Sequence, residues 1–90
     1  MKKEYILLNL TEAKDSIDEL IREIDENNEY EFGNYLVDMQ HIYWHINKAW
    51  NGRDFDFLND KLSDEQEEKF IQFPNDLLLW AVRPPYYIAI

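Results

Sequence analysis

Asp38, His41 and His45 are spaced by three and four residues. On a helix that spacing gathers them within about 60° of one face. Two imidazoles and a carboxylate are suitable donors for zinc or another divalent transition metal. The run His41-Ile-Tyr-Trp-His45 nevertheless lacks the glutamate that directly follows the first histidine in zinc peptidases. With no cysteine and no third histidine, every further ligand would have to be a carboxylate. The bland reading is a pair of hydrogen-bonding histidines on a helix. Metal binding, or a metal-dependent enzyme or sensor built on these three residues, stands as the alternative.

Asp54, Asp56, Asp60 and Glu65 fall on positions 1, 3, 7 and 12 of a calcium loop, but position 5 is Leu58 and position 6 is Asn59 where the turn needs glycine. These acids read more simply as turn and cap residues. Ser16 and Ser63 lack the context of an activated nucleophile, and the two glycines stand alone, so no phosphate-cradling loop exists. Nothing assembles a base, a nucleophile and an oxyanion hole. The expectation is a protein that is not an enzyme and needs no cofactor.

Val37 and Trp44 are more informative. Seven residues apart, they superimpose on a helix face opposite the expected core, with Gln40, His41, Asn47 and Lys48 as neighbours. Tryptophan is enriched where a partner removes it from water, and a polar rim around one aromatic anchor is how an interface reads in sequence. Val37, Gln40, His41, Trp44 and Lys48 are therefore the candidate partner-binding residues. The competing reading is that a later helix covers Trp44 and makes it core.

The elements that must position these residues follow from periodicity. Ile6, Leu10, Ala13, Ile17, Leu20, Ile21 and Ile24 step by three and four, predicting an amphipathic first helix with a coiled-coil-like seam. It starts near Lys3 or at Thr11 and stops at Asn27–Asn28; an early start would point Tyr5 and Leu8 away from the seam. Glu12, Asp15, Asp18, Glu19, Glu23 and Glu26 form an acidic face on the remainder. A second helix is predicted from Glu31 to Trp50, ended by Asn51–Gly52, with Tyr35, Met39, Ile42, Tyr43, Ile46, Ala49 and Trp50 as its core stripe and Leu36 on the margin. Arg53 to Leu62 reads as a loop pinned by Phe55 and Phe57. Ser63, with Gln66 three residues on, caps a short helix to Phe73. Asp76–Arg83 reads as a last short helix, and the tail from Tyr86 to Ile90 as an extended apolar segment.

These elements predict an all-α fold: one helical domain over residues 1–90, built as a small bundle of two long antiparallel helices plus two short C-terminal helices. The alternative is α+β, with a two-stranded ribbon from residues 5–10 and 86–90. Length and composition agree with one small domain. The chain has 90 residues, a net charge of −10, 46% hydrophobic residues, three Trp, six Tyr and five Phe, too apolar for a disordered acidic tail. The first 30 residues hold 4 basic and 9 acidic side chains. Such a charge repels phosphate backbones and anionic membranes, so neither direct nucleic-acid binding nor membrane binding is expected. The apolar run after Lys2 and Lys3 is too short for an export signal, which favours the cytoplasm.

The sequence thus discloses no reaction. Its leading reading is a small acidic helical protein–protein interaction module. It would be homodimeric, or an inhibitor or immunity-type binder of a basic partner drawn in by charge. A nucleic-acid mimic, its acids imitating phosphates, is a further alternative.

Overall fold

The computed structural model describes residues 1–77 and contains three helices among them: α1 Lys3–Glu26, α2 Phe32–Asn51 and α3 Asp64–Phe70. The first two form an antiparallel hairpin. Tyr5, near the start of α1, packs on Gly52 at the end of α2, and one helical turn further on Asn9 meets His45. The Lys2 N–H donates to the Arg53 carbonyl at 2.7 Å, tying the start of the chain to the same end.

Local chemistry sets the boundaries. α1 begins at Lys3 and not at Thr11, so residues 5–10 are helical and the strand ribbon of the α+β alternative loses its first half. Residues 86–90, its other half, lie outside the described residues. At Asn27 the side chain donates to Glu23, and its Oδ1 accepts the Glu29 N–H at 3.0 Å, closing the turn that stops α1. α2 starts one residue later than predicted and runs one residue further, with Gly52 as its cap. The Ser63–Gln66 capping box forms as predicted, Ser63 Oγ accepting the Gln66 N–H at 3.1 Å.

α3 ends at Phe70 and not at Phe73. The amides of Asn47 and Asn51 on α2 donate to the carbonyls of Ile71, Phe70 and Gln72, and so draw the chain off its helical path before Pro74. Of the predicted helix from Asp76 to Arg83, residues 76 and 77 are not helical and the rest lie outside the described residues.

The core corrects the expected seam. Buried on α1 are Tyr5, Asn9, Ala13 and Leu20, so Tyr5 points into the core instead of away from it. Its ring meets Phe55 edge-on at 5.2 Å, with Phe57 and Phe70 at 5.8 and 6.0 Å. The loop aromatics thereby turn the contact line of α1 by roughly 60° from the Ile/Leu stripe. Ala13 and Leu20 serve the α2 contact, whereas Leu10, Ile17, Ile21 and Ile24 of the same predicted stripe are exposed. On α2, Ile42 and Ala49 are buried as expected, but Tyr35, Tyr43 and Ile46 remain exposed, as does Leu36.

Candidate functional site

Three surfaces of the hairpin bear on function. The first is a cleft of about 350 Å³ between α1 and α2 near their connection, lined by Ser16, Glu19, Glu23, Asn27, Tyr30, Asn34, Asp38 and His41 among others. Asp38 is fixed there by the Tyr30 hydroxyl, which donates to its carboxylate at 2.6 Å. Burial, then the hydrogen bond to Asp38 and its negative charge, push the Tyr30 hydroxyl up to about 12. Three carboxylates line this cleft and no lysine or arginine does. A cation is the species it attracts.

The predicted triad of Asp38, His41 and His45 is only partly assembled. The two imidazoles stand edge to face at 4.8 Å. His45 turns inward, its Nδ1 2.9 Å from the Asn9 side-chain oxygen, while Asp38 faces Tyr30. Among the described residues, no group of three His, Cys, Asp or Glu side chains is placed to hold a metal ion. Of the acids near the calcium-like loop, Asp56 accepts from Asn59 at 3.0 Å and from backbone N–H groups of the same turn, the turn role expected of it.

His45 carries a pH dependence. Burial, with the nearby His41 and Lys48 adding to it and Glu12 opposing, lowers its pKa below 6.5. The unfolded chain therefore takes up this proton at higher pH than the folded one. The stability held by neutral His45 is complete above about pH 6.5 and declines as the pH falls from there toward the folded-state value. The thermal midpoint of the native chain is expected to drop more between pH 7 and pH 5 than that of a His45→Gln variant. Parallel midpoints in calorimetry would contradict this role.

The second surface is the predicted partner-binding face. Val37, 61% exposed, and the exposed Gln40 and His41 remain open. Lys48 is committed within the chain, 3.4 Å from Glu67 and above the rings of Trp44 and Tyr5. Trp44 is neither buried core nor fully open. At 39% exposure it borders an apolar groove of about 300 Å³ completed by Leu36, Met39, Tyr43, Ile71 and Phe73. Of the acidic face, Asp18 pairs with Lys14, Glu19 with Arg22, and Glu23 with Asn27, while Glu12, Asp15 and Glu26 are exposed.

The third surface consists of residues whose spacing predicts core, together with Phe32. Viewed down α1 from its N terminus, sequence advances clockwise on α1 and anticlockwise on the antiparallel α2. Positions rotated past the contact line by the same angle therefore fall on the same side of the pair. Leu10, Ile17, Ile21 and Ile24 on α1, and Phe32, Tyr35, Tyr43 and Ile46 on α2, lie roughly 50–130° past it. All eight are exposed, Ile21 at 61% and Ile24 at 54%. The acidic cleft lies on the opposite side, where Glu19, Glu23, Asn34 and His41 precede the contact line. α3 packs on α2 through Asn47, Lys48 and Asn51, away from this flank, while beyond α3 Phe73 packs on Tyr43 and Asp76 accepts from Trp50, bounding the flank on its α2 side. The sequence did carry a signal for it: α1 has adjacent apolar pairs, such as Leu20 and Ile21, that one neighbouring helix cannot cover together.

No protein-family model matches the chain, and no curated protein or solved structure matches it significantly.

Proposed function

We propose that this chain is a protein–protein interaction module whose docking surface is the apolar flank shared by α1 and α2. The supporting observation is the row of exposed aliphatic side chains Leu10, Ile17, Ile21 and Ile24, continued across α2 by Tyr35 and Ile46. Scattered exposed apolar residues are ordinary, but a contiguous patch of this kind marks an interaction site on a soluble protein. On this reading the acidic face and cleft steer association and oppose wrong partners, and the chain works in the cytoplasm without a cofactor or a catalytic step. Binding of a basic partner in the cleft, as by an inhibitor or immunity-type protein, is the second reading. It is favoured by the three carboxylates of Glu19, Glu23 and Asp38 around one opening.

A flank built for docking contributes little to the chain's own core. At submicromolar concentration the double variant Ile17→Glu/Ile21→Glu is therefore expected to keep its helical circular dichroism and to bind less of a hydrophobic dye than the native chain. Were the flank core in the folded chain, two buried and unpaired carboxylates would abolish that helical signal.

A further inference from the structure

We infer that the occupant of this flank is a second copy of the same chain, so that two hairpins pair face to face as a four-helix bundle. The inference rests on the docking role proposed for the flank and names its partner.

The seam of α1 has two apolar edges. Leu10, Ile17 and Ile24 recur every seven residues, and Ala13 and Leu20 follow two of them by three, the a and d positions of a heptad pattern. In the hairpin only the d residues Ala13 and Leu20 are buried. The a residues and the neighbouring Ile21 stand exposed beside them. A helix with this pattern has one apolar edge for its hairpin partner and an adjacent one for another helix. A second hairpin supplies helices of matching length and spacing.

The distribution of charge also favours a second copy on this flank. A chain of net charge −10 resists self-association unless the contacting faces are free of acid. Here the segregation is clean: no carboxylate lies between Leu10 and Ile24 on the flank side of α1. The α2 flank from Tyr35 through Tyr43 to Ile46 is uncharged. Lys3 lies in line with Ile21 at the start of the α1 stripe and Lys14 at its edge, while Glu12, Glu19 and Glu23 lie on the other side of the pair. Two copies joined by their flanks keep their acidic faces outward and apart.

The flank also has about the size of a dimer interface. Two helices side by side, the longer of 24 residues, present a face of roughly 36 by 20 Å, or about 700 Å². A stable interface buries about 800 Å² per partner. The match suits an isologous pair, in which each flank meets its own copy about a two-fold axis.

Sedimentation equilibrium of the full chain at about 5 and 100 μM, a range bracketing micromolar affinity, tests this directly. The expected result is twice the chain mass at the higher concentration. Ile21→Glu is expected to return the chain mass there, with unchanged helical circular dichroism, and Ile24→Lys to do the same should Ile21→Glu lose helix. Val37→Glu, on an exposed α2 position away from the flank, is expected to leave the dimer intact. Chain mass at both concentrations for the native protein overturns the inference, as does dissociation by Val37→Glu equal to that by Ile21→Glu. Neither result refutes docking of a different protein on the flank, which fails only if the flank is covered within the monomer.

Discussion

Tyr5→Ala is expected to destabilise the chain by about 3–5 kcal/mol, the usual cost of deleting a buried aromatic. A chain of this length has roughly 5–13 kcal/mol to lose. The ring is 2% exposed and meets Phe55, Phe57 and Phe70, so it joins α1, the loop and α3 at one point. Its loss leaves a cavity that helices held at both ends cannot close. The hydroxyl is a separate matter: it is buried and has no hydrogen-bond partner among the described residues. Burial pushes its pKa up. Tyr5→Phe removes that unsatisfied donor while keeping the ring, and is expected to be neutral or stabilising by up to about 1 kcal/mol. Urea unfolding of the two variants checks both signs. Equal destabilisation by both would mean that the hydroxyl, not the ring, holds this corner.

Gly52→Ala carries the second large effect, about 1–3 kcal/mol of overpacking. Gly52 has φ −97°, a conformation any residue adopts, so backbone freedom does not require glycine at this cap. Space does. A Cβ there would lie 2.5 Å from Tyr5 Cε2 and 2.8 Å from the Lys48 carbonyl oxygen. The ring is clamped by Phe55 and Phe70, so it has no free direction in which to yield. Combining Gly52→Ala with Tyr5→Ala should relieve most of this clash, giving a strongly non-additive double-mutant cycle. Additive costs would show that the Lys48 carbonyl, and not the ring, excludes the methyl group.

This corner also shows what the sequence left hidden. The Asn27 stop, the Ser63–Gln66 box and the extent of α2 are local chemistry, and each was legible to within a residue or two. The orientation of α1 was not. Periodicity placed Tyr5 off the seam because Ile and Leu dominate the stripe, whereas long-range contacts with Phe55, Phe57 and Phe70 rotate the helix toward them. Asn9, polar and yet 2% exposed, is paired within α1 and across to His45, which no pattern of apolar residues reveals. For the candidate site, spacing correctly set Asp38, His41 and His45 along α2. It could not show that Tyr30 and Asn9 would engage Asp38 and His45. The exposed flank was misread as core for the same reason: its residues are apolar and regularly spaced, and a helix with two apolar edges looks in sequence like a helix with one wide one.

The most direct test of the docking surface is thiol accessibility, made clean by the absence of native cysteine. Ile21→Cys and Leu20→Cys place one thiol on the flank and one in the contact between α1 and α2. At submicromolar concentration, Ile21→Cys should react at least about tenfold faster than Leu20→Cys, whose thiol waits on local opening. As the concentration of a binding partner or of the chain itself rises, that reactivity should fall while Leu20→Cys stays slow throughout. Ile21→Cys as protected as Leu20→Cys in the dilute monomer would show the flank to be core and contradict the account.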